Sequence, residues 1–241
     1  FILAGLVVCL LLSCSDSDDS INTDSTTSSS LIKIMPLGAS RVQGARPAFE
    51  SYRFELWKQL VNQNYSFDFI GTQMDDVAYP SFNGGNFDID HEGRGSWTSG
   101  QILSELNSWI NQTGVPDIVL FSSPGGNDAL DNLPYTEAIT NINAIIDLLQ
   151  TANPNVTILI EQMAPGRTDI MTPQLTSYFT NMQQDVQTIA VEQSNSSSKV
   201  IAVDMFTGFT DAMLADEVHY NEAGAIFIAN RYYNSLTPFL D

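Results

Sequence analysis

Histidine is scarce in this chain. His91 and His219 are its two imidazoles, so chemistry that needs a proton acceptor near neutral pH has two candidates. His219 follows Asp216 by three residues, a spacing that lets a carboxylate in a turn reach Nδ1 and leaves Nε2 to accept a proton. The same spacing also describes an ordinary solvated loop pair. Ser40, in Gly38-Ala39-Ser40-Arg41-Val42-Gln43-Gly44, offers a hydroxyl in what reads as a strand-to-helix turn, where a serine equally serves as a helix cap. That string lacks the Gly-x-Ser-x-Gly pattern of a nucleophile elbow, which argues for a different serine scaffold. Ser122-Ser123-Pro124-Gly125-Gly126-Asn127-Asp128 is a third polar, glycine-rich turn.

These residues gain weight from the elements that must position them. Leu31–Leu37, Phe67–Ile70, Asp117–Phe121, Val156–Gln162 and Val200–Met205 are short apolar runs of the kind buried on both faces of a sheet. Helical spacing alternates with them: Tyr52, Leu56, Trp57, Leu60 and Val61; Ile102, Leu106, Trp109 and Ile110; Ile139, Ile142, Ile145, Ile146 and Leu149. Tyr178–Val191 and Glu222–Leu236 read as two further helices. The alternation predicts an α/β fold with a parallel sheet, since a parallel connection needs a crossover. Ligands in such sheets bind outside the carboxyl ends of the strands. Ser40 follows the first run, Asn127 the third, and Asp216 and His219 the fifth, so the topology brings all of them to one rim.

Three strings then resemble the sequence blocks of the SGNH/GDSL hydrolases: Ile34-Met35-Pro36-Leu37-Gly38-Ala39-Ser40, Gly125-Gly126-Asn127-Asp128, and Asp216-Glu217-Val218-His219-Tyr220-Asn221-Glu222-Ala223-Gly224. His91-Glu92-Gly93-Arg94-Gly95-Ser96-Trp97-Thr98, with Tyr52-Arg53 and Phe67-Asp68-Phe69-Ile70-Gly71, is similar to their carbohydrate esterase family three branch, which contains acetylxylan esterases. The resemblance implies a three-layer α/β/α sandwich of flavodoxin-like type around a five-stranded parallel sheet, spanning residues 31–241. It implies a serine esterase with Ser40 as nucleophile, His219 as base and Asp216 as its orienting carboxylate. The oxyanion would lie on the Ser40 N–H, the Asn127 side chain and a backbone N–H from Ser96 or Gly95. No metal or organic cofactor is implied. Two departures stand out. Ala39 replaces the usual Asp, which is not a proton-transfer group, and Ser96 aligns with the oxyanion glycine, with Gly95 one residue early. Three readings of function follow: removal of small acyl groups such as acetyl from carbohydrate, lipase-like or thioesterase action on longer acyl chains, and a non-catalytic lipoprotein that binds glycans or a partner.

Around the expected site, Arg41 and Trp97 are candidate substrate contacts, whereas Trp57 and Trp109 fit apolar helix faces. Arg46, Arg53, Arg94 and Arg167 read as structural ion-pair partners. Phe87-Asp88-Ile89-Asp90-His91-Glu92 is acidic but lacks the ligand spacing of an EF-hand, and reads as a solvated loop.

The front of the chain reads as targeting sequence. Phe1–Leu12 is an uncharged apolar run, too short for a membrane-spanning helix but suited to a signal-peptide core, and Leu11-Leu12-Ser13-Cys14 resembles a lipobox. With no Met or basic segment before Phe1, the leader reads as truncated at its front. Residues 1–13 are then expected to be removed, and Cys14 lipidated as the membrane anchor of an envelope or surface lipoprotein. Loss of Cys9 would leave no partner for an internal disulfide. Fourteen of the sixteen residues Ser15–Ser30 are Ser, Thr or Asp, a composition that cannot bury enough surface to order itself. As a coil this tether reaches about 20–25 Å. The chain carries 28 acidic and nine basic residues, a net charge of −19. Phosphate binding needs clustered Lys and Arg, so nucleic acid is not an expected partner. A monomer is expected.

Overall fold

All five apolar runs become strands. The structure, a computed structural model, describes residue 1 and residues 31–240. Residues 2–30, which hold most of the apolar run, the lipobox with Cys14 and the Ser/Thr/Asp tether, lie outside the described residues. The strands are β1 (Ile32–Gly38), β2 (Phe67–Phe69), β3 (Gln73–Met74), β4 (Asp90–Gly93), β5 (Ile118–Phe121), β6 (Thr157–Gln162) and β7 (Lys199–Asp204). The helices are α1 (Ser40–Gln43), α2 (Arg53–Asn62), α3 (Ser99–Thr113), α4 (Gly126–Leu130), α5 (Tyr135–Ala152), α6 (Pro173–Gln193) and α7 (Glu222–Leu236). Every residue of β5 and β6 is buried, as expected for central parallel strands.

The fold is α/β with a mostly parallel central sheet, and its order is β3-β4-β1-β5-β6-β7 with β2 also on β1. Where five strands are expected, the sheet has seven. Two short strands share one position: β2 pairs in parallel with Ile32–Ile34, and β4 with Leu37 and Gly38 farther along the same edge of β1. β3 then adds antiparallel to β4. Alternate strand residues feed two cores. Met35, Leu37, Val119, Phe121, Ile158 and Ile160 pack against α3, α5 and α6. Ile34, Leu120, Leu159 and Val203 pack on the other face, against α2 and α7. Trp57 and Trp109 are buried in these cores. No helix among the described residues is long and apolar enough to cross a membrane.

The reading of Phe87–Glu92 as a solvated loop is corrected by β4. Its polar residues are buried because each has partners. Glu92 accepts from the Thr72 N–H (2.7 Å) and pairs with Arg94 (2.8 Å). Next to this strand, the Asp88 carboxylate accepts the Phe69 N–H at 2.7 Å, and burial pushes its pKa up to about 6 against that bond. A raised folded-state pKa means the native state holds this proton more tightly than the unfolded chain, whose ordinary value is 3.8. The stabilisation it confers is therefore present at low pH and lost as pH rises through about 6. Asp88→Asn copies the protonated form. Thermal unfolding from pH 4 to 7 is expected to show the variant gaining on the wild type as pH rises; a gap that stays constant would refute the assignment.

Candidate active site

The rim at the carboxyl ends of the strands collects the residues singled out in the sequence. β1 ends at Gly38, where a Cβ would lie 2.8 Å from the Ser122 carbonyl oxygen, so the chain can turn tightly there beside the end of β5. The turn delivers Ser40 as the first residue of α1, where a first-turn N–H has no acceptor within the helix. The Ser40 Oγ lies 2.9 Å from the His219 Nε2, although 179 positions separate them in the chain. The His219 Nδ1 lies 2.7 Å from the Asp216 Oδ2.

The Asp216–His219 turn is built to hold that geometry. The Asp216 Oδ1 accepts the backbone N–H groups of Val218 (2.9 Å) and His219 (2.8 Å), while Oδ2 faces the ring. Partial burial works against the charge of Asp216, but these two N–H donors and the imidazole outweigh it and hold the carboxyl below its ordinary pKa. An ionised carboxylate can only accept, so Nδ1 carries the ring proton and Nε2 is left to accept from the Ser40 hydroxyl. Phe49 lies flat on the imidazole, with ring centroids 3.8 Å apart and planes inclined by 13°. The Glu50 N–H donates to the Tyr220 carbonyl at 2.8 Å, tying the Phe49 loop to the residue after His219.

His91 is excluded as an alternative base. It is buried, its Nδ1 accepts the Gly93 N–H at 3.0 Å, and its Nε2 faces Asp75 at 3.3 Å. Burial lowers its pKa to about 4, outweighing the opposing pull of Asp75, so the ring is neutral and structural near pH 7.

Asn127 sits at the start of α4 and lines the same narrow cleft as Ser40. Gly125 precedes this helix in the left-handed region (φ 71°), which favours glycine. The Asn127 Nδ2 donates one hydrogen to the Trp97 carbonyl at 2.8 Å, which fixes the amide orientation and leaves its second hydrogen available. Asp128 anchors the turn by accepting both the N–H (2.9 Å) and the hydroxyl (2.6 Å) of Ser99.

One expected oxyanion donor needs correction. The Gly95 N–H is committed to the Gln43 Oε1 at 2.7 Å, so Gly95 does not offer an oxyanion donor. Ser96 takes up a left-handed φ of 64°, and its N–H has no protein acceptor among the described residues. The Trp97 ring is half-buried and packs on Trp109 (5.5 Å) with the Arg94 guanidinium over both rings, while its carbonyl holds the Asn127 amide. The Arg41 guanidinium donates to the carbonyls of Val218 (2.8 Å), Ala164 (2.8 Å) and Pro165 (3.1 Å). It is buried and ties these three carbonyls together, and it lines the cleft beside Ser40. The other arginines behave as expected: Arg46 pairs with Glu50, Arg53 with Asp75, Arg94 with Glu92, and Arg167 with Asp169 and Glu217.

The cleft beside Ser40 has a volume of about 40 Å³ and an apolar wall formed by Leu130, Met163, Phe179 and Val218. A larger cleft of about 160 Å³ shares Leu130 with it. Among the described residues, no group of three or more His, Cys, Asp or Glu side chains is arranged to hold a metal ion. Sequence reasoning missed Phe49, Asp128 and the bracing role of Arg41. No spacing rule announces the ring stack, but an arginine directly after the candidate nucleophile, in a chain so poor in bases, was a signal.

No family model matches the chain. A curated protein of Acetivibrio thermocellus, provisionally named an endoglucanase X, is 31% identical over 137 residues, or 55% of each chain. The chain thus spans about half the length of that relative. A family 3 carbohydrate esterase of Clostridium thermocellum is 30% identical with a TM-score of 0.69, over 88% of this chain and 100% of that one. A serine-to-alanine variant of an acetyl esterase, solved with acetate ion, is 26% identical with a TM-score of 0.74, over 87% of this chain and 98% of that one.

Proposed function

Because the chain belongs to the SGNH/GDSL hydrolases, ester-hydrolysing enzymes, in their carbohydrate esterase family 3 branch, we propose that it removes O-acetyl groups from carbohydrate by acyl transfer through Ser40. The observation that carries this reading is the unbroken relay of Asp216, His219 and Ser40, with contacts of 2.7 and 2.9 Å. Ser40 Oγ attacks the ester carbonyl as its proton passes to the His219 Nε2. Asp216 holds the resulting imidazolium. The carbonyl oxygen becomes an oxyanion, received by the Ser40 N–H, the Ser96 N–H and the second Asn127 Nδ2 hydrogen. Collapse breaks the bond to the sugar oxygen, which leaves as the alcohol with the proton from His219. Water then repeats the cycle on the acyl-enzyme: His219 takes its proton, acetate leaves, and Ser40 regains its hydrogen.

A small cleft beside Ser40 suits a short acyl group, and the acetyl esterase among the similar structures supports acetyl. Longer acyl chains are the second reading, favoured by the apolar wall and by the neighbouring cleft that shares Leu130, with Leu133, Ile170 and Leu175 in its lining. We place the domain at the cell envelope on a lipid carried by Cys14, on the strength of the Leu11–Cys14 string.

The test measures acetate release from acetylated xylan together with p-nitrophenyl acetate and octanoate hydrolysis. Acetate release and a preference for the acetyl ester are expected; a preference for octanoate would overturn the acetyl assignment. In the same assay Asn127→Ala is expected to lower kcat about 10²- to 10³-fold, the usual cost of one oxyanion donor. A loss below about tenfold would remove Asn127 from that role.

A further inference from the structure

Beneath the rim lies a buried carboxylate that the relay does not use. Glu161 occupies β6 with no exposed surface. Its Oε2 accepts the Ser123 N–H at 2.8 Å and the Ser123 hydroxyl at 3.3 Å. Its Oε1 is buried, and so are the neighbouring hydroxyls of Ser122, Tyr52, Tyr220 and Tyr232, with Ser122 and Tyr232 directed at the carboxyl. Burial raises the Glu161 pKa, opposed by Tyr232, the Ser123 N–H and the Arg41 charge, so these groups form one electrostatic cluster. Such a site is costly: apolar replacements of buried charges are often neutral or stabilising, so packing alone gives no reason for a carboxylate here.

What it holds is informative. Ser123 stands at φ 48°, a left-handed conformation that a non-glycine residue adopts only when its surroundings impose it. Ser123 begins the turn that carries Asn127. Its hydroxyl donates to Glu161 and accepts from the Arg41 Nη1 at 3.4 Å. Arg41 in turn grips the Val218 carbonyl, one residue before His219. Glu161 is thereby linked by two side chains to both halves of the site.

We propose that Glu161 is a positioning residue for acyl transfer, locking Ser123 in its left-handed turn and, through Ser123 and Arg41, keeping Asn127 and His219 in register with Ser40. The proposal rests on the esterase reading above. It acts through geometry at the transition state, so it should govern kcat and leave KM unchanged.

The test is steady-state hydrolysis of p-nitrophenyl acetate by the wild type, Glu161→Gln and Ser123→Gly, each assayed well below its own unfolding midpoint. Gln keeps the shape and one acceptor but replaces the acid by an amide, and Gly, which adopts φ 48° without strain, deletes the hydroxyl that joins Glu161 to Arg41. For Glu161→Gln, kcat is expected to fall about 10- to 100-fold with KM within about twofold, the scale of a sub-ångström to 1 Å misplacement. Labelling of Ser40 by a fluorophosphonate is expected to slow in parallel. A merely structural carboxylate would instead shift the unfolding midpoint and spare kcat per folded molecule, which overturns the proposal. If Glu161→Gln does not fold, Ser123→Gly decides: a kcat loss at constant KM supports the proposal, and wild-type kcat overturns it. A wild type without Ser40-dependent turnover would overturn the esterase reading, and this inference with it; an active wild type matched by an equally active Glu161→Gln overturns the positioning role alone.

Discussion

Ser40→Ala is expected to lower kcat for p-nitrophenyl acetate by at least about 10⁴-fold and to abolish fluorophosphonate labelling. The size of the effect follows from what is removed. Alanine deletes the atom that would form the new bond to the acyl carbon, and the 2.9 Å contact with the His219 Nε2 goes with it. What remains is an oxyanion site and an imidazole able to activate water, which accounts for a residual rate above background. Stability should change little, since a single hydrogen bond contributes roughly 1 kcal/mol net and the new methyl group fills part of the same space. Loss of turnover with an unchanged unfolding midpoint therefore separates chemistry from folding. Equal rates and labelling for variant and wild type would instead favour a protein that binds glycans or a partner without catalysis.

That Ser40, His219 and Asp216 could be expected at one rim of the sheet from the sequence has a physical cause. Each follows a run of apolar residues long enough to be a buried strand, and a parallel sheet sends the carboxyl ends of all such strands to one rim. The helices were legible for a similar reason: Glu222–Leu236 carries the periodicity of α7 over its whole length. β4 was not legible, because Asp90, His91 and Glu92 belong in water by transfer energy and are buried only through partners supplied by Thr72, Asp75 and Arg94. Side-chain direction was equally hidden. Arg41 adjoins Ser40 in sequence yet its guanidinium is held by three carbonyls, and the Gly95 N–H is taken by Gln43, a partner 52 positions away. Phe49 belongs to a loop with no periodic pattern, so its stack on His219 is a tertiary fact. Glu161 was different: an acidic residue inside Thr-Ile-Leu-Ile-Glu-Gln contradicts its own strand pattern, and such local conflicts gather at functional sites.

The carboxylate of the relay sets the second large effect. Asp216→Asn is expected to lower kcat about 10⁴-fold while Ser40 remains in place. The amide is nearly isosteric, and its oxygen can still accept the Val218 and His219 N–H groups that hold the turn. Its nitrogen, however, would then face the His219 Nδ1 where Oδ2 now stands at 2.7 Å. An N–H donor at that position favours the tautomer with its proton on Nε2, and a protonated Nε2 cannot take hydrogen from Ser40. The imidazolium would also lose the charge that stabilises it. Nitrogen-15 chemical shifts of His219 should report the tautomer change directly, and a loss of less than about tenfold in kcat would show that Asp216 does not orient the ring. Stability supplies an independent check with a definite sign. The folded pKa of Asp216 lies below its ordinary value of 3.8, so the native state binds this proton less tightly than the unfolded chain does. Its contribution is complete above that value and lost as pH falls through the lower folded pKa. The wild type should therefore unfold at a higher temperature than Asp216→Asn near neutral pH, with the difference shrinking in acid. Phe49 restrains only the plane of the ring, so it can preserve the stack without restoring the proton to Nδ1, and the variant should stay folded while turnover fails.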